Sequence, residues 1–140
     1  IRAVAEAAGD VPVLVDSTFA TPVLQQPAAL GATYVLHSAT KFLGGHGDVI
    51  AGVVCCDDAH AAPLRTVRAA TGGLLHPLGA YLLHRGLPTL KLRVEAAQAN
   101  AQVLARRLQE QGLHNARYAG SVATEQTPRR ERATGASACA

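Results

Sequence analysis

Two short apolar runs, each followed by a polar residue of a type found in catalytic sites, constrain the fold of this sequence most. Residues 11–15 are rich in valine and lead into Asp16, and residues 33–37 lead into a segment that carries Lys41. Such runs predict strands, and the first resembles a strand buried on both faces. The intervening segment is long enough for one helical crossover, so the two strands can be parallel neighbours. We therefore expect Asp16 and Lys41 to meet at one edge of a sheet.

The rest of the chain alternates helical and extended patterns. Its order predicts an α/β fold with a mostly parallel sheet flanked by helices, ending in a long helix. Asp57 and Asp58 are predicted to cap the helix that follows the third strand, and Cys55 and Cys56 are expected to be buried strand residues. The further predicted elements are helices at 1–8, 23–30, 59–70 and 76–113, the last interrupted at 86–88, and a strand at 49–54.

Composition excludes several classes of protein. The chain is 49% hydrophobic and 16% charged, and its longest apolar runs are too short to span a membrane. The net charge of +3 comes largely from arginines at 129–132, which leaves no basic face suited to nucleic acid. Three cysteines, two of them adjacent, do not form the framework of a secreted disulfide protein. We expect a cytoplasmic protein that acts on small molecules.

Two other interpretations of this sequence, a metal site and a nucleotide-binding loop, have weaker support. The six histidines lack the spacing of metal ligands, and the glycine-rich residues 43–47 lack the forms of a nucleotide-binding loop. Arg85 and Arg93 have the charge to bind anions, although solvated or interface roles suit them equally. We expect neither a metal site nor a nucleotide loop.

The groups around Lys41 suit pyridoxal 5'-phosphate (PLP) for three reasons. The Lys41 amine can form an aldimine with the cofactor aldehyde, a step that needs an unprotonated nitrogen. The hydroxyls of Ser38 and Thr40 can donate hydrogen bonds to a phosphate. Asp16 can pair with the protonated pyridine nitrogen. Each signal is common by itself, and the order and spacing of all of them favour this cofactor.

Three stretches closely resemble the PLP-binding region of the Cys/Met-metabolism, or trans-sulfuration, enzymes. They are VDSTFATP at 15–22, LGA at 30–32 and HSATKFLGGHGDVIAG at 37–52. Residues 79–93, running on through 100–101, resemble the long helix that follows the cofactor site in that family. The family includes cystathionine γ-synthase, cystathionine lyases, homoserine-ester sulfhydrylases and methionine γ-lyase.

The resemblance implies the large domain of a PLP-dependent transferase, the aspartate aminotransferase-like fold type I. It implies Lys41 as the catalytic Schiff-base lysine and proton shuttle, and Asp16 as the partner of the pyridinium. Ser38 and Thr40 would bind the phosphate, and Thr18 would lie against the ring. The cofactor implied is PLP, and the implied partner is an amino-acid substrate, with full-length relatives forming homotetramers.

We expect the chain to be a fragment of such an enzyme. Residues 1–120 carry the resemblance and are expected to form a partial PLP-binding domain, whereas the polar composition of 121–140 predicts a disordered or out-of-family tail. The opening helical pattern has no capping residue before it, and the chain contains no methionine, so its start resembles a cut end. Other pocket residues of the family, including a ring-stacking tyrosine and a substrate-binding arginine, have no counterpart here.

The expected chemistry is β/γ-elimination or γ-replacement on cystathionine, methionine or a homoserine ester. Both reaction types use the same lysine, aspartate and phosphate ligands, so these residues do not separate them. Residues 68–70 read Arg-Ala-Ala where methionine lyases tend to have a Lys-Asp pair, which argues against methionine. The alternative function is that of a truncated, catalytically inactive fragment that at most binds PLP.

Overall fold

The computed structural model describes residues 1–113. The predicted tail at 121–140 and the boundary before it lie outside the described residues. None of the helices in the described part is long and apolar enough to cross a membrane. The elements, in chain order, are α1 Arg2–Ala8, β1 Leu14–Asp16, α2 Thr21–Leu24, a 3-10 turn Pro27–Leu30, β2 Tyr34–Ser38, β3 Gly52–Cys55, α3 Asp58–Thr71, α4 Pro77–Gly86, a second 3-10 turn Leu87–Thr89, and α5 Leu90–Glu110.

The strands form one mixed sheet in the order β1-β2-β3. The first two strands are parallel, as expected, and Asp16 lies opposite Leu36. β3 runs antiparallel to β2, with Ser38 opposite Gly52. This direction differs from the mostly parallel sheet that we expected, because residues 39–51 turn back without the helical crossover that a parallel neighbour requires.

One face of this sheet is exposed. It carries alternate residues of the strands, and we call it the open face; its members include Leu14, Asp16, Leu36, Ser38 and Val54. Leu14 is 58% exposed and Val54 is 43% exposed. The prediction that the first strand is buried on both faces is therefore wrong, because the side chains of Leu14 and Asp16 on the open face are exposed.

The opposite face forms part of the core. Val35 and His37 on β2 are each only 4% exposed, because β2 is the central strand. The prediction that both adjacent cysteines are buried is wrong as well, since Cys55 is exposed and Cys56 is half-buried. β3 is the second edge strand of the sheet, and within it only Val53 is half-buried, whereas Gly52, Val54 and Cys55 are exposed.

The helices after the sheet agree closely with the predicted pattern. Asp57 caps α3 and accepts a hydrogen bond from the backbone N–H of His60 at 2.9 Å. The break between α4 and α5 falls at Leu87–Thr89, where Pro88 interrupts the helix. Along α5 only the first turns are buried, at Leu90 and Val94, and there the helix packs against α2.

The helices also fix the segment that follows β2, residues 39–47, which we call the lysine loop. Gly86, the last residue of α4, is buried, and a Cβ added to it would clash with the carbonyl oxygens of Leu43 and Gly44. Only glycine permits this contact between helix and loop. The end of α4 therefore lies directly against the backbone of the lysine loop.

Candidate cofactor-binding site

Asp16 is the last residue of β1, and its side chain is exposed on the open face. Its Oδ1 accepts a hydrogen bond from the backbone N–H of Thr18 at 2.9 Å. Hydrogen bonding by the Thr18 hydroxyl, and then by the Thr18 backbone N–H, lowers the pKa of Asp16 below its ordinary value, and the positive potential of nearby His37 acts in the same direction. The carboxylate is therefore ionised at neutral and mildly acidic pH.

Thr18 connects the ends of the two parallel strands. Its side chain is buried, with 6% exposure, and its Oγ1 accepts a hydrogen bond from the backbone N–H of Ser38 at 2.7 Å. Thr18 thus contacts Asp16 through its backbone N–H and its hydroxyl, and the same hydroxyl oxygen contacts Ser38. Because Asp16 and Ser38 both belong to the open face, their side chains lie on the same side of the sheet.

Lys41 lies in the turn that follows β2, and its side chain is exposed. Its backbone N–H donates to the carbonyl oxygen of Ser38 at 3.2 Å, and its own carbonyl accepts from the N–H of Gly45 at 2.8 Å. These bonds fix the main chain on both sides of the Lys41 Cα.

Thr40 is held from the other side of the loop. Its Oγ1 accepts a hydrogen bond from the backbone N–H of Ala51 at 3.1 Å, and it lies 3.4 Å from the Ala51 carbonyl oxygen. A separation of 3.4 Å is long for an O–H donor, so this contact holds the hydroxyl hydrogen weakly. The hydrogen remains able to turn toward a stronger acceptor.

A continuous series of hydrogen bonds therefore joins four of the five predicted site residues. It runs from the Asp16 carboxylate to Thr18, from Thr18 to Ser38, and from Ser38 to the backbone of Lys41. Thr40 is the residue before Lys41 in the same turn. The structure brings all five to one edge of the sheet, and their roles toward a cofactor stay predictions.

Sequence reasoning missed three features near this edge. Ser17 and His37 are buried on the core face, and Ser17 Oγ and His37 Nδ1 have no hydrogen-bond partner among residues 1–113. The alternation of β2 places His37 on the face away from Asp16, which is the signal that was available. The third feature is Arg93, whose guanidinium contacts the lysine loop through a contact that no local pattern encodes.

The model of one protein family matches residues 1–136, and its description is "Cys/Met metabolism PLP-dependent enzyme". The chain belongs to this family. The match runs past residue 120, where the composition of the sequence predicts the end of the domain. The cofactor of the family is PLP.

Several curated relatives support the same assignment. An L-methionine gamma-lyase of Streptomyces avermitilis is 67% identical over 108 residues, covering 77% of this chain and 26% of the relative. A cystathionine beta-lyase of Lactococcus lactis is 52% identical over 106 residues, or 75% of this chain and 28% of the relative. A Bacillus subtilis cystathionine gamma-synthase/O-acetylhomoserine (thiol)-lyase is 52% identical over 99 residues, which cover 70% of this chain and 26% of the relative.

Solved structures of the family have the same fold. A methionine gamma lyase from Micromonospora echinospora superposes with a TM-score of 0.74 at 43% identity, covering 77% of this chain and 30% of that one. A cystathionine gamma-lyase from Lactobacillus plantarum gives the same TM-score at 40% identity, covering 77% of this chain and 29% of the other. The chain spans about a quarter of the length of the curated relatives it matches.

The residues at the sheet edge fit the family cofactor in their chemistry. Asp16 offers a carboxylate whose lowered pKa keeps it charged, as a pyridinium partner requires. Ser38 and Thr40 offer hydroxyl donors for a phosphate, and Lys41 offers an exposed primary amine for an aldehyde. The pyridine nitrogen, the phosphate and the aldehyde of PLP therefore each have a counterpart in this set.

Replacing Thr18 with valine is expected to raise the pKa of Asp16 toward its ordinary value, because both the hydroxyl and the local turn that lower it are disturbed. The Ser38 N–H also loses its acceptor, which costs about 1–3 kcal/mol of unfolding free energy. NMR titration of the Asp16 carboxyl group and urea unfolding measure the two effects.

The pH dependence of the unfolding free energy follows from the direction in which the pKa of Asp16 is shifted. The folded-state pKa of Asp16 lies below that of the unfolded chain, so its contribution to stability is present above the ordinary pKa and is lost as pH falls through the lowered value. The stability difference between wild type and Thr18→Val should therefore narrow below about pH 4. Thr66→Val, which removes an exposed hydroxyl from α3, is the control and should leave Asp16 unchanged. An Asp16 pKa in Thr18→Val that equals the wild-type pKa would contradict the role of Thr18.

Proposed function

We propose that this chain forms the lysine-bearing part of the cofactor site of a PLP-dependent enzyme of sulfur amino acid metabolism. The observation that supports this most is the series of hydrogen bonds from the Asp16 carboxylate to the backbone of Lys41. It fixes an anion and an amine-bearing turn at one edge of a sheet, where α/β proteins bind their ligands.

Each residue has a defined task in this proposal. Asp16 holds the pyridinium N–H, while the hydroxyls of Ser38 and Thr40 donate to the phosphate. Thr18 contributes by holding Asp16 and Ser38 in place. Lys41 Nζ attaches the cofactor, and later takes up the proton that leaves the α-carbon of an amino-acid substrate. When bound, PLP supplies an electron sink for the negative charge at that carbon.

The proposed reaction is β/γ-elimination or γ-replacement on cystathionine, methionine or a homoserine ester. Elimination comes first, because the relatives at 67% and 63% identity carry the name L-methionine gamma-lyase. A relative named as a synthase at 52% identity keeps replacement as the second reaction. We further propose a cytoplasmic location and a homotetramer for the protein that contains the complete pocket.

A second candidate is an inactive fragment that binds PLP at most. Two observations favour it: the chain covers about a quarter of its relatives, and apolar side chains such as Leu14 are exposed on the open face beside Asp16. An uncovered face admits water to the site and weakens every electrostatic contact in it. Residues 1–113 by themselves would therefore hold the cofactor loosely.

One experiment separates these functions. The purified chain is incubated with PLP, and visible absorbance that borohydride bleaches reports covalent capture of the cofactor. Methionine, cystathionine and O-acetylhomoserine are then offered, and release of 2-oxo acid reports elimination. Absorbance with 2-oxo acid supports the enzyme, and absorbance without it supports the inactive fragment. A chain that is folded by circular dichroism and acquires no absorbance overturns the enzyme, and it also overturns covalent capture of PLP by the inactive fragment.

A further inference from the structure

Arg93 lies near the start of α5, and its guanidinium is bonded to three oxygens of the protein. Nη1 donates to the carbonyl of Phe42 at 2.7 Å, Nη2 to the carbonyl of Gly86 at 2.8 Å, and Nε to the hydroxyl of Thr89 at 3.0 Å. All three acceptors are uncharged, and no carboxylate within residues 1–113 forms an ion pair with Arg93. The side chain therefore serves to join backbone segments.

The lysine loop packs tightly around this guanidinium. Gly45 has a φ of +74°, and a Cβ at this position would clash with the Arg93 guanidinium. The Gly45 N–H donates to the carbonyl of Lys41, and the Gly44 N–H donates to the carbonyl of Ala39, each at 2.8 Å. The loop is thus closed by its own bonds on one side and by Arg93 on the other.

We propose that Arg93 is a positioning residue for Lys41. Phe42 directly follows Lys41, and the bond from Arg93 to the Phe42 carbonyl holds the Phe42–Leu43 peptide unit, one residue beyond the lysine. The same guanidinium holds the end of α4 at Gly86, and it thereby links the lysine loop to α4 and α5. This inference rests on the proposed function, because it assigns Arg93 the task of keeping the Lys41 amine at the sheet edge beside Asp16.

The chemistry of the side chain explains why an arginine stands here. A guanidinium is a rigid planar fork and can donate to several acceptors at once, whereas an ammonium is a compact point donor on a flexible chain. Arg93→Lys would keep the charge and lose at least one of the three bonds. Arg85 offers a contrast, because it pairs with the Asp48 carboxylate at 2.7 Å and is half exposed.

The first readout needs no cofactor. Hydrogen–deuterium exchange of the Gly44 and Gly45 amides should be roughly tenfold faster in Arg93→Gln than in wild type, corresponding to the loss of one or two hydrogen bonds. The backbone amides of β2 should exchange at the wild-type rate in Arg93→Gln. In Arg93→Lys the exchange rates of Gly44 and Gly45 should lie between those of wild type and Arg93→Gln. Arg106→Gln, an exposed arginine on the same helix, is the matched control and should change nothing.

The second readout reports on the amine itself. Lys41 and Lys91 are the lysines of the chain, and the Lys91 side chain is 75% exposed, so Lys91 is an internal reference for amine reactivity. After reaction with PLP and reduction by borohydride, the ratio of adduct on Lys41 to adduct on Lys91 should fall several-fold in Arg93→Gln. A residue that only stabilises the fold would leave this ratio unchanged in the folded protein.

The outcomes separate this inference from the proposed function. If wild type captures no PLP but Arg93→Gln loosens Gly44 and Gly45, the proposed function fails and the hold on the loop stands. If wild type captures PLP at Lys41 and the variants change neither exchange nor adduct ratio, the inference about Arg93 is overturned. Should Arg93→Gln fail to fold, the same two readouts on Arg93→Lys decide in the same way.

Discussion

Replacing Lys41 with alanine is expected to abolish the visible absorbance that the chain acquires with PLP. In the proposed function the primary amine of Lys41 forms the covalent bond to the cofactor, and alanine offers no nucleophile in its place. The side chain is exposed and the turn is held by backbone bonds, so the variant should fold as wild type does. Absorbance titration with PLP and circular dichroism measure the two properties.

Lys91→Ala is the matched control for this prediction. Lys91 is exposed on α5 and is 3.8 Å from Glu95 across one helical turn, a pair worth little to stability. Its removal should leave the absorbance unchanged. Equal absorbance in Lys41→Ala and wild type would show that the cofactor is captured elsewhere.

Asp16→Asn is expected to weaken PLP binding by about 10- to 100-fold. The substitution keeps the shape of the side chain and removes the charge, and a hydrogen bond to a charged group contributes about 1.5–3 kcal/mol. Equilibrium dialysis with PLP measures the change. Asp10→Asn removes an exposed carboxylate away from the sheet edge and is the control. Equal affinity in Asp16→Asn and wild type would remove Asp16 from the site.

Much of the fold follows from local patterns in the sequence. The cap at Asp57 and the break at Pro88 are encoded by residues adjacent to the structures they cause. The predicted helix at 23–30 divides into α2 and a 3-10 turn, with Gln25 extended between them. Pro27 explains the division, because proline disfavours helix in the residue before it.

The burial of the strands does not follow from the same patterns. A valine-rich run predicts a strand, but whether its faces are covered depends on which elements lie beside it. Leu14 lies on the open face and Cys55 is the last residue of β3, and both side chains are exposed although their runs are apolar. The apolar runs therefore predicted the strands but not the burial of their side chains.

The candidate site likewise contains residues that local patterns predict and a contact that they do not. Asp16 and Lys41 were predictable because each follows a strand, and parallel strands end at one edge of a sheet. The contribution of Arg93 was not, since its bond to the Phe42 carbonyl joins residues 51 positions apart. Such a contact depends on how α5 packs, which no local pattern encodes.

The most direct test of the account maps where PLP attaches to the chain. The cofactor is added, the product is reduced with borohydride, and peptides are analysed by mass spectrometry. The account predicts that the adduct lies on Lys41 and exceeds the adduct on Lys91, although Lys91 is 75% exposed. An adduct distributed over Lys91 and the Ile1 amine, with none in excess on Lys41, would contradict it.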